Sequence, residues 1–137
     1  MNMDQFKLGM HVGEIKAWCE AVKNDAKGMS LSAPFKPEDY ETLLPYMVEH
    51  SERNGVNFYH EKELIATDLF GDMDLSSIWV FVIYRRPETL EKYLKLKEDK
   101  EKLLESGSYE GDTRKDIAVH FGRLLGYSDA MIHARWS

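Results

Sequence analysis

Ile78-Trp79-Val80-Phe81-Val82-Ile83-Tyr84 decides the architecture of this chain. The run is almost entirely β-branched or aromatic, the composition of a strand. A strand with one wet face alternates apolar and polar residues; this one does not, which predicts a central strand covered on both faces. Upstream, Val56 to His60 and Leu64 to Phe70 read as further strands, and Ser77 to Arg86 bounds the central one. Gly71-Asp72-Met73-Asp74 supplies turn residues between the last two. About five residues of connection are too few for a parallel crossover, so an antiparallel hairpin is expected. Farther upstream, Met29, Leu31 and Ala33 alternate with Ser30 and Ser32, predicting a short strand before Pro34.

Helical signals flank these strands. Leu8, Val12, Ile15, Cys19, Val22 and Ala26 recur at spacings of four and three, so a first helix is expected from Asp4 to Gly28. Gly9 and Gly13 weaken its start by roughly 1 kcal/mol each relative to Ala, or permit another backbone to approach. A second helix opens at Pro37, with Glu38 and Asp39 suiting its positive end. Tyr40, Leu43, Leu44, Met47 and Val48 form its apolar face, Asn54-Gly55 stops it, and Pro45 predicts a kink or break inside it. Pro87-Glu88-Thr89 starts a third helix reaching Ser106, where Gly107 stops it. Its Lys95–Lys102 run mixes signs and reads as a solvated face, since Glu98, Asp99 and Glu101 spoil a basic stripe. Thr113, with Asp116 three residues on, suggests a capping box for a fourth helix, and Ser128 caps a last one over Ala130 to Trp136. The predicted order is α-β-α-β-β-β-α-α-α. It lacks the regular alternation of a doubly wound sheet. The expected class is α+β: a small, mostly antiparallel sheet of about three to four strands packed with about five helices, in one domain spanning 1–137.

The totals narrow the function classes. At 137 residues the chain buries about two-thirds of its unfolded surface and needs no staples. A net charge of -6 argues against nucleic acid and anionic membranes as partners, since both need a positive field. The single cysteine, Cys19, allows no intrachain disulfide and suits a reducing, cytoplasmic setting. No apolar run approaches a membrane span, and Met1 to Phe6 lacks the regions of a signal peptide.

Candidate chemistry concentrates in Gly111 to Tyr127. Ile117, Phe121, Leu124 and Leu125 make one stripe of that helix, with Arg114 at its N-terminal end. Asp116, His120 and Arg123 align on a second face, and Tyr127 continues it. Arg114 near a helix N-terminus could hold a carboxylate or phosphate in two-pronged fashion. The commoner arrangement lays its stem on apolar surface and pairs it with a nearby acid. His120 with Asp116 one turn earlier has the makings of an oriented general base, although no nucleophile accompanies it and an exposed surface histidine is the more frequent case. Arg85-Arg86, ending the central strand, is a second anion contact, strand ends being common crevice sites.

Other patterns are weaker. Tyr59-His60-Glu61-Lys62-Glu63 lacks the second histidine of a zinc helix and looks extended. Asp68, Asp72 and Asp74 cluster near Gly71 without a calcium-loop pattern, so turn-forming aspartates are the simpler reading. His11, His50 and His133 form no ligand spacing. No glycine-rich phosphate loop or nucleophile elbow occurs, and no motif specifies a cofactor. Cys19 lies on an apolar stripe and reads as core.

Gly122-Arg123-Leu124-Leu125-Gly126-Tyr127 resembles a Gly-x-Leu-Leu-Gly-Tyr-Pro segment of some uncharacterised prokaryotic proteins, with Ser128 here in place of the Pro. The resemblance implies no activity. A Schellman-type helix stop at Gly126 produces much the same string.

Three functional classes follow. The first is binding of an anionic small molecule or peptide carboxylate between the end of the central strand and the Arg114–Tyr127 helix. Arg114 and Arg85 would neutralise the ligand there, with Asp116, His120, Arg123 and Tyr127 beside it. The second is a hydrolase or lyase using His120 with Asp116. The third is an interaction module or homo-oligomer using the first helix or the aromatic C-terminus.

Overall fold

The Ile78–Tyr84 run supplies the central strand of a three-stranded antiparallel sheet. The computed structural model describes residues 3–70 and 77–136, so the expected turn at Gly71-Asp72-Met73-Asp74 lies outside the described residues. In chain order the elements are α1 (Gln5–Lys23), β1 (Met29–Leu31), α2 (Tyr40–Asn54), β2 (Asn57–Glu61), β3 (Val80–Tyr84), α3 (Pro87–Glu105), α4 (Gly111–Leu124) and α5 (Asp129–His133). Short 3-10 turns precede α2, follow β2 and follow α5. Five helices and a small antiparallel sheet make the class α+β. No helix among the described residues is long and apolar enough to cross a membrane.

The strand order is β1-β3-β2, and β3 pairs antiparallel on both sides. Its residues alternate between two cores, as the pleat requires. Phe81 and Ile83 face Ile15, Cys19 and Val22 of α1 and Leu43 and Met47 of α2. Val80 and Val82 face Tyr93 and Leu96 of α3, Ile117 and Phe121 of α4, and Leu125 just after it. The sheet is therefore the middle of three layers, which is why β3 carries no polar position.

One predicted strand is absent. Leu64 to Phe70 forms no ladder, and β2 takes its place beside β3. Side chains of α3 and of the segment itself satisfy backbone groups there: Ile65 N donates to Tyr93 Oη at 3.2 Å, Lys100 Nζ donates to Ala66 O, and Leu69 N donates to Thr67 Oγ1 at 3.2 Å. With such partners a buried backbone has no need of a neighbouring strand. Ile65 meanwhile fills the α3/α4 core.

Smaller differences have local causes. The first helix ends at Lys23 rather than Gly28, with Asp25 left-handed at φ 57, and Ala26 is exposed outside it. Pro45 does not break α2, since buried Leu43 and Met47 anchor both sides of it; the helix changes type at Tyr40 instead. The fourth helix opens two residues before Thr113. Glu110 is its N-cap, and Thr113 at the third position accepts from Glu110 N at 3.4 Å. Gly126, at φ 81, closes the helix as a Schellman motif: Tyr127 N donates to Gly122 O and Gly126 N to Arg123 O, both at 3.0 Å. Ser128 caps α5 by accepting from Met131 N at 3.2 Å.

Candidate functional site

The six candidate residues on and near α4 divide between its two ends and its outer face. The helix runs roughly 20 Å, so Arg114 in its first turn lies far from the stop at Gly126. The C-terminal end packs against Lys27 and Gly28, the link from α1 to β1: a Cβ on Gly126 would meet Lys27 Cα at 3.4 Å. Arg85 reaches that same link, where its Nη1 donates to Asp25 Oδ2 at 2.9 Å and Lys23 O at 3.3 Å. Tyr127 is there too, its ring 5.4 Å from Lys27 Nζ. Arg85 and Tyr127 therefore share one end of the helix and Arg114 marks the other. The structure does not bring the two arginines together.

Each of these arginines has an internal acid. Arg114 is held by Asp68 through both prongs, Nε to Oδ2 at 2.8 Å and Nη2 to Oδ1 at 2.7 Å, and lies 5.3 Å over the Tyr109 ring. The pair fastens the segment after β2 onto α4, and it raises Arg114 above its ordinary pKa. Arg86 joins Arg85 on Asp25 at 3.2 Å. For Arg114 the stem-and-acid arrangement is the observed one.

Asp116, His120 and Arg123 do come together, along the groove between α3 and α4. Two adjoining depressions, of about 430 Å³ and about 600 Å³, share His120, Leu96 and Asp99. Lys92, Lys95, Arg123 and Leu124 line the first; Lys102, Leu103, Thr113, Asp116 and Ile117 line the second. The floor is apolar; the rim of the first is mainly cationic, whereas Asp99 and Asp116 accompany Lys102 around the second.

His120 sits where the depressions meet. The sequence pattern suggested that the Asp116 carboxylate orients its ring, but the partner is the Asp116 main-chain carbonyl, 2.8 Å from Nδ1. A carbonyl oxygen only accepts, so this contact needs the proton on Nδ1, and in the neutral ring Nε2 is then the acceptor. Arg123 donates from Nε to Asp129 at 3.3 Å. On α3, Lys95 pairs with Asp99, which raises its pKa, and Lys102 pairs with Glu98 at 3.2 Å. Lys92 has no hydrogen-bond or ion-pair partner among the described residues.

Lys95 and Lys102 escape the sequence reading because the Lys95–Lys102 run looks like a solvated face, and Lys92 lies outside that run. The readable signal is the four-three-four spacing of Lys92, Leu96, Asp99 and Leu103, which shares one side of α3. It gains meaning only once α4 is known to lie alongside.

The remaining candidates are structural. Because β2 is extended, His60 and Glu61 point to opposite faces. Glu61 is buried, accepting from Tyr93 Oη at 2.7 Å, Lys97 Nζ at 2.8 Å and Glu63 N at 2.9 Å. His60 stacks on Tyr40 with centroids 4.1 Å apart and meets Trp79 edge-on at 4.6 Å. Its Nε2 is buried and has no hydrogen-bond partner among the described residues. Burial, then the Lys62 charge, holds its pKa below the usual histidine range. Cys19 is fully buried, and burial pushes its thiol up to about 11, which makes it inert core. Among the described residues no group of three His, Cys, Asp or Glu is placed to hold a metal ion; Asp72 and Asp74 lie outside them. No protein-family model, curated protein or solved structure matches this chain.

Proposed function

We propose that the protein binds an anionic small molecule or a peptide carboxylate in the α3–α4 groove. One observation carries the reading: Lys92, Lys95 and Arg123, from two helices, line one depression with His120, whose Nε2 meets an anion only when it too carries a proton. Lys92, unpaired among the described residues, is the first charge available to a ligand. The Arg123 pair with exposed Asp129 uses Nε alone, so its terminal nitrogens remain for a carboxylate or phosphate. Leu96 and Leu124 favour a ligand with an apolar portion beside its charge. Arg114 stands outside this reading because Asp68 holds both its prongs, and Arg85 because it reaches Asp25 and Lys23 O at the α1–β1 link.

Thermal melts with acetate, phosphate, citrate and short peptides test it. A ligand at a hundred times its Kd stabilises by about 2.7 kcal/mol, enough for a clear rise in Tm. His120→Ala and Arg123→Ala should lose the rise, and Arg114→Ala should keep it. A panel that shifts nothing would sink the proposal.

In the neutral Nδ1–H tautomer Nε2 is a proton acceptor, which supports hydrolase or lyase chemistry as a second reading. Turnover of an ester or β-elimination substrate that disappears in His120→Gln would favour it over simple binding.

A further inference from the structure

We propose that α1 pairs antiparallel with α1 of a second copy of this chain. Phe6 is 78% and Met10 55% exposed, so α1 carries a large apolar surface that its own chain leaves uncovered. At about 100° per residue, Phe6, Met10, Gly13 and Ala17 fall within roughly 60° of one another, opposite buried Ile15, Cys19 and Val22. Their four-three-four spacing is that of a helix-pairing seam.

Size and charge select the arrangement. The bulky residues occupy the N-terminal half of the seam and the small ones the C-terminal half. An antiparallel partner sets Phe6 against Ala17 of the second copy and Met10 against Gly13 of the second copy, large into small. A parallel partner would set Phe6 on Phe6 and leave a gap at Gly13. Lys7 and Glu14 lie on one flank of the seam, and neither side chain has an ion-pair partner among the described residues. In the antiparallel register each Lys7 comes within about one helical turn of Glu14 of the other copy. The two-fold repeats that attraction. In a parallel pair the two-fold carries each Lys7 to the opposite side of the seam from Glu14 of the other copy, and the attraction is lost.

Gly9 and Gly13 agree with this placement. A Cβ at either would meet nothing within 4 Å in the chain itself, so the monomer offers no steric reason for glycine there. Both weaken the helix relative to Ala, and both suit close approach of a second backbone.

Sedimentation velocity from about 10 µM to about 1 mM tests the proposal, because one helix face buries an area at the low end of specific interfaces. A monomer–dimer equilibrium is expected. Gly13→Leu should leave the fold intact, since the site is open, and abolish the dimer. Lys7→Glu should weaken association about tenfold, and adding Glu14→Lys should restore it. A monomer at every concentration, a dimer that survives Gly13→Leu, or a double swap no tighter than Lys7→Glu alone would each overturn the proposal.

Discussion

His60 and His120 lie in the two halves of the molecule, on opposite sides of the sheet, and their surroundings are reversed. His60 is enclosed by Phe35, Tyr40, Trp79 and Phe81, with its Nε2 buried and unpartnered among the described residues. His120 is exposed, yet its Nδ1 is engaged by a carbonyl and its side chain lines both depressions of the groove. The first arrangement forces a neutral ring into an aromatic cluster, at a cost in unsatisfied polarity and with a gain in packing. The second spends little stability on a residue held ready for a ligand. Changes around His60 should therefore register as stability, and changes around His120 as binding.

The largest effect is expected at the shared sheet. Phe81 is fully buried against the His60 cluster, so Phe81→Ala should cost about 3–5 kcal/mol in denaturant unfolding. On the other face, Tyr93→Phe removes the hydroxyl that joins Glu61 to Ile65 N. A loss of about 1–3 kcal/mol is expected there, with faster hydrogen exchange at Ile65. A loss as small as that of a surface substitution would deny that this network replaces the missing strand.

The pH dependence of stability sharpens the contrast further. The folded-state pKa of His60 lies below its ordinary value of 6.5. The unfolded chain then binds more protons, so this contribution is complete above pH 6.5 and is lost as pH falls through the lower folded value. Lys62 adds to the effect and Glu61 opposes it. Unfolding free energies measured from pH 7 down to pH 5 should decline, and His60→Phe should flatten the decline. An unchanged slope would remove His60 from the account. The smallest effects belong to the groove: His120→Ala and Arg123→Ala should each alter stability by no more than about 0.5 kcal/mol. A large loss from either would make them structural and dissolve the comparison.

What was legible in the sequence follows from how far each cause reaches along the chain. Continuous apolarity in Ile78–Tyr84 identified the central strand because burial on both faces acts on every residue of it. The stop at Gly126 and the cap at Ser128 were readable because each is settled within a turn of helix. Leu64–Phe70 was misread because what keeps it out of the sheet is Tyr93, 28 residues away from Ile65. Arg114 posed the same difficulty, since its acid lies 46 residues off. Asp116, His120 and Arg123 shared a face by helical period alone. The lysines opposite them belong to another helix, and only packing brings the two lines together.

Nitrogen-detected NMR of the His120 ring, recorded while a carboxylate or phosphate is titrated in, tests the central claim most directly. The account predicts the Nδ1–H tautomer in the free protein, then saturable shifts at His120 Nε2 and Arg123 with Arg85 and Arg114 unmoved. An Nε2–H tautomer, or shifts confined to Arg85 and Arg114, would contradict it.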